Sequence, residues 1–87
     1  MIRVFIPTQL QSYCPGTSHV EARGSNVDEV LHDLDRRFPG IRFRIVVEQD
    51  RIRRHMRIFI GETAAREVSA VVGDDDELLI FGALSGG

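Results

Sequence analysis

Cys14, His19, His32 and His55 are the side chains with which this sequence could do nucleophilic or metal chemistry, and their spacing supports neither. Cys14 and His19 fall in a turn and a strand with no second Cys or Glu at ligand spacing. His32 falls on the solvent side of a helical pattern and His55 within an arginine-rich segment, so both read as titrating surface imidazoles. Nothing cationic beside Cys14 argues for a lowered pKa, and it reads as an inert, partly buried thiol. Arg51, Arg53, Arg54 and Arg57 suggest phosphate or RNA, yet no aromatic is interleaved and acids flank the run, which favours a solvated strand edge. Asp74 to Glu77 lacks the alternating ligands of a calcium loop and reads as a turn. No Ser, His and Asp arrangement stands out, and no glycine-rich phosphate loop follows a strand.

What remains is the end of the chain, Gly82-Ala83-Leu84-Ser85-Gly86-Gly87. Terminal glycines are often mere floppiness. Six extended residues nevertheless reach about 20 Å, enough to thread a narrow cleft in a partner. Glycines without Cβ atoms pass where side chains clash and leave the Gly87 carboxylate unhindered. A carboxylate resists nucleophiles until its oxygen becomes a leaving group, so this tail suits an acyl group activated by another enzyme.

The elements that must present such a tail are legible in the pattern. The chain has 87 residues, 43% hydrophobic and 28% charged, the composition of one small soluble domain, expected to span 1–87 with a flexible tail over 82–87. A net charge of -2 gives no drive toward nucleic acid or an anionic membrane. All basic residues are arginine, which removes a P-loop lysine, a lysine Schiff base and an isopeptide acceptor side chain. A single cysteine fits a reducing cytoplasm, with no targeting or membrane-spanning run.

Ile2 to Ile6 reads as a strand ended by Pro7, and Cys14-Pro15-Gly16-Thr17 as a turn into a half-exposed strand through His19, Glu21 and Arg23, its hairpin partner. Asn26 can cap a helix, with Glu29 completing a capping box. Val27, Val30, Leu31, Leu34 and Phe38 form one apolar stripe, and Pro39-Gly40 stops the helix. Phe43 to Val47, Met56 to Ile60 and Glu77 to Phe81 read as strands. Residues 61–72 admit either a helical turn over Thr63 to Glu67 or a short strand at Glu67-Val68. The first and last strands are the most apolar and belong side by side at the centre, parallel because the helix lies in the crossover between them. The fold class is α+β: a β-grasp, a mixed sheet packed on one main helix.

Taken in order, Met1-Ile2-Arg3-Val4, Asn26-Val27-Asp28-Glu29-Val30-Leu31, Phe38-Pro39-Gly40, Asp75-Asp76-Glu77-Leu78 and Ala83-Leu84-Ser85-Gly86-Gly87 make the whole chain resemble the MoaD/ThiS family of ubiquitin-like sulfur carriers, most closely the small subunit of molybdopterin synthase. The resemblance implies a carrier that binds no cofactor and is not catalytic alone. A ubiquitin-activating-type adenylyltransferase uses MgATP to adenylate the terminal glycine, a sulfur donor enzyme converts it to a thiocarboxylate, and a client such as the molybdopterin synthase large subunit takes the sulfur. By this likeness Gly87 carries the sulfur, Gly86 provides access, and Phe81 and Leu84 meet partners. Carriers for thiamine or cysteine biosynthesis are the alternatives within the family. A non-covalent β-grasp interaction module, whose tail would be dispensable, is the alternative outside it. An iron–sulfur β-grasp carrier is excluded, since Cys14 cannot supply the thiolates alone.

Overall fold

Burial alternates along Ile2–Phe5 as the sequence predicts: Ile2 and Val4 face inward while Arg3 stays in solvent. This strand, β1, belongs to a computed structural model that describes residues 1–82. The remaining strands are β2 (His19–Ala22), β3 (Met56–Ile60), β4 (Thr63–Ala65) and β5 (Glu77–Gly82), in the sheet order β2-β1-β5-β3-β4. β1 and β5 run parallel, with Arg3 opposite Glu77 and Phe5 opposite Leu79, and the other neighbouring pairs are antiparallel. The most apolar strands therefore lie side by side, and the sheet with its packed helix is the expected β-grasp.

Helix α1 (Val27–Arg37) buries Val27, Val30, Leu31 and Leu34 completely, in one cluster with Ile2, Val4, Ile58, Leu78 and Ile80. Phe38, the C-cap, is partly buried against the same cluster. The Asn26 side chain accepts a 2.8 Å hydrogen bond from the Glu29 amide. The return contact of the expected capping box is displaced by one residue, because the Glu29 carboxylate accepts from the Ser25 amide and hydroxyl instead. Gly40, at φ +97°, makes the left-handed turn after Pro39 that ends this segment.

Two elements differ from expectation. Phe43 to Val47 is not a strand: helix α2 (Ile41–Ile45) occupies this place, burying Ile41 and Ile45 while Phe43 faces solvent. The Asp35 carboxylate imposes the turn by accepting from the amides of Gly40 at 3.0 Å and Arg42 at 3.1 Å. Arg42 then bridges back to Asp28 on α1 and to Asp50. In residues 61–72 neither expected element forms. Gly61 turns the chain at φ +60°, and β4 pairs with β3 from Thr63 to Ala65. A 3-10 turn, Thr8–Leu10, follows Pro7 and is anchored by buried Leu10. Among the described residues no helix is long and apolar enough to cross a membrane.

Candidate functional site

β5 carries the chain toward Gly86 and Gly87, so the site is built around its end. Period-two alternation sends Leu78 and Ile80 into the core and leaves Glu77, Leu79 and Phe81 on the opposite sheet face. The strand register aligns His19, Phe5, Leu79, Phe59 and Ala64 in one row across the sheet. Phe81 stands one pleat further toward the tail, opposite Arg57.

The aromatic rings close into a chain. Phe81 lies 5.7 Å from Phe5 and 5.8 Å from Phe59 between ring centroids, and Phe5 lies 5.4 Å from His19. Such pairs each add about 0.5–1.5 kcal/mol beyond burial and hold one another in place. Phe81 nonetheless keeps 41% of its surface in solvent. An apolar row left open beside the exit of a strand is the kind of surface that docks a partner. At that exit, Gln9 of the 3-10 turn donates a 3.0 Å hydrogen bond to the Gly82 carbonyl.

Of the residues singled out from the sequence, Phe81 stands exposed on this face, while Leu84, Gly86 and Gly87 lie outside the described residues. β5 takes in Gly82, which the sequence reading placed in the tail. Phe5, His19, Leu79, Phe59 and Gln9 join the site without any motif that announces them. Parity along each strand puts the first four on the outer face, but the row exists only once the register is known.

Cys14 is buried at 2% exposure, deeper than expected. Desolvation pushes its thiol up from the ordinary range, and the opposing Arg37 charge is the weaker influence. His32 lies 3.4 Å from Asp28 on the outer side of α1, His55 is exposed, and the His19 ring nitrogen Nδ1 sits 3.2 Å from the neighbouring Ser18 hydroxyl. Among the described residues no three His, Cys, Asp or Glu side chains gather as a metal site.

The arginine run meets the expected strand edge only at Arg57, which pairs with β5 but lies on the stretch of β3 that β4, paired from Ile58 to Ile60, does not reach; Arg51, Arg53 and Arg54 lie in the loop before β3. Two of these guanidinium groups bind backbone: Arg53 donates to the Phe43 carbonyl at 2.8 Å while stacking over its ring, and Arg57 donates to the carbonyls of Arg54 and Met56. The acidic run is a turn, with the Asp76 carboxylate accepting from the Gly73 amide at 2.7 Å.

Comparison with known proteins gives a match to the ThiS family over residues 4–87. The sulfur carrier protein CysO of Mycobacterium tuberculosis is 26% identical over 91 residues, an alignment covering 99% of this chain and 98% of that protein. A chain in the crystal structure of the Amycolatopsis orientalis BexX/CysO complex is 32% identical with a TM-score of 0.92, with 100% of both chains covered. The small archaeal modifier protein 1 of Methanosarcina acetivorans shares the fold at a TM-score of 0.81 and 23% identity, over 99% of this chain and 95% of that one.

Proposed function

Because this chain belongs to the ThiS family, we propose that it is a sulfur carrier whose reactive group is the α-carboxylate of Gly87. The observation that carries this reading is the family match running through the Gly86-Gly87 end, together with a sheet whose central strand leads into that end beside an open aromatic row. With a pKa of about 3.5 the carboxylate is an anion at neutral pH. It attacks the α-phosphorus of ATP within an activating enzyme, and pyrophosphate leaves. Sulfur at the sulfide level then attacks the acyl carbon of the adenylate, and AMP departs with the oxygen. Neither step needs a side chain from the carrier, and Mg²⁺ and ATP belong to the activating partner.

The carrier's own surface supplies recognition. Phe81, flanked by Phe5 and Phe59, offers an apolar anchor next to the tail, and Leu84 extends that contact within the partner's cleft. The curated relative and the solved structure at 32% identity are a CysO protein and a CysO complex, and this supports cysteine formation as the use of the sulfur rather than molybdopterin synthesis. By the same likeness, the partner held in the BexX/CysO complex supports a client or activating enzyme that binds the folded domain and receives its tail.

The test is intact mass. Incubation with the cognate activating enzyme, MgATP and a sulfur donor is expected to raise the mass by the difference between sulfur and oxygen. Deletion of Gly87, or a tag after it, should abolish the change. A protein without Gly87 that still supports sulfur delivery would overturn the carrier reading in favour of a non-covalent module.

A further inference from the structure

β1 accompanies β5 only part of the way. Its ladder runs from Arg3 opposite Glu77 to Phe5 opposite Leu79, and there Pro7, with fixed φ and no N–H to donate, ends the strand. β5 continues through Ile80, Phe81 and Gly82 with β3 still paired on one side, Met56 opposite Gly82. The other edge of these last residues has lost its neighbouring strand. The 3-10 turn Thr8–Leu10 brings Gln9 to that edge, and the carboxamide Nε2 donates to the Gly82 carbonyl at 3.0 Å.

The turn is a firm base for this contact. Leu10 is buried at 3%, its amide donates to the Pro7 carbonyl at 2.9 Å, and the Tyr13 amide donates to the Leu10 carbonyl at 3.0 Å. Gly82 is shaped for the same contact. A Cβ there would lie 2.9 Å from both Cδ and Nε2 of Gln9, so any larger residue displaces the carboxamide.

We infer that Gln9 is a positioning residue that sets the direction in which the chain leaves the sheet toward Gly87, an inference that rests on the sulfur-carrier reading. A peptide unit is planar, so holding the Gly82 carbonyl oxygen restricts the C–N bond to residue 83, which lies in the same plane. A tail that must enter a narrow cleft loses conformational freedom on binding, and a root already aimed loses less of it in the encounter. Gln9 holds the chain at Gly82, five residues before the reacting carboxylate. Its effect belongs in the carrier's KM for its activating enzyme and not in kcat.

The test varies the carrier concentration in the ATP–pyrophosphate exchange catalysed by the cognate activating enzyme. For Gln9→Ala and Gln9→Leu the KM is expected to rise about 3- to 10-fold, the loss of one net hydrogen bond, with kcat unchanged. Gln9→Lys, which restores a donor, should recover part of the loss. Gly82→Ala should raise KM in the parent chain and add little in the Gln9→Ala background, because both changes break the same contact. The carbonyl ¹³C resonance of Gly82 in the free carrier should move in Gln9→Ala, which reports the contact without any enzyme. A parent chain that is never adenylated overturns the carrier reading, while the resonance still judges the contact. A parent chain that is adenylated with a KM equal to that of Gln9→Ala, or additive effects of Gln9→Ala and Gly82→Ala, overturns the role of Gln9 alone.

Discussion

Phe81 is held by aromatic neighbours on two sides and still presents 41% of its surface to water, so part of its ring lies outside the core and is open to contact. Phe81→Ala should lower the unfolding midpoint modestly, losing two ring contacts of about 0.5–1.5 kcal/mol each, and weaken binding to an activating or client enzyme by roughly 2 kcal/mol, as for a central aromatic anchor, measured by titration calorimetry. If the variant unfolds, Phe81 is core and the interface lies elsewhere. Leu34 is its opposite, completely buried beneath α1, and Leu34→Ala should cost about 2–5 kcal/mol in urea unfolding. Cys14 should resist thiol reagents in the native protein and react only at the rate of unfolding, since burial both covers the thiol and raises its pKa. At this scale the sequence was readable wherever periodicity alone decides exposure, as for Phe81 and Leu34. It was silent on Gln9, because the partner of that side chain is an atom of the other end of the chain.

Asn26 shows how much of an element can be written locally, since its side chain, the acids of the first turn and Arg36 and Arg37 in the last all agree with α1. Asn26→Ala should cost about 1 kcal/mol by thermal unfolding. The segment from Ile41 to Val47 shows the opposite. Apolar Ile41, Phe43, Ile45 and Val47 alternate with Arg42 and Arg44 as a strand would, yet the same run places Ile41 and Ile45 at the helical spacing of four. Asp35 decides between the two periods from outside the segment, and Asp35→Ala should loosen α2, with faster amide exchange at Gly40 and Arg42 and a cost of about 1–2 kcal/mol. β4 is illegible in the sequence for a related reason: Thr63-Ala64-Ala65 has little strand character of its own and forms because β3 offers an edge. Asp33 ties α1 to β2. Burial acts to raise its carboxyl, but the Arg23 amide, the Arg36 hydrogen bond and the charges of Arg36 and Arg37 outweigh this and hold it below the usual carboxylate range. Its stabilisation is therefore complete above an unfolded pKa of about 3.9 and is lost as the pH falls through the lowered native value. Asp33→Asn should flatten that acid limb, which urea unfolding across a pH series would display.

At the scale of the molecule, the topology was legible because its two most apolar strands had to be central and a helical crossover had to make them parallel. The order of the remaining strands followed from pairing with that centre, which no single segment announces. The parallel pair also determines how the domain answers tension. A partner that draws on the tail pulls β5 along its own axis toward its C-terminal end, while resistance at Met1 holds β1 from its starting end in the opposite sense. The hydrogen bonds between Arg3–Phe5 and Glu77–Leu79 are then loaded together in shear instead of being opened one after another. Force applied between Ala64 on β4 and Gly82 meets a different geometry, because the antiparallel β3–β4 hairpin can be peeled from one end. Single-molecule extension through Met1 and Gly82 should accordingly show a higher rupture force than extension through Ala64 and Gly82. A partner can thus tug on the tail of this carrier without unravelling the domain that delivers it.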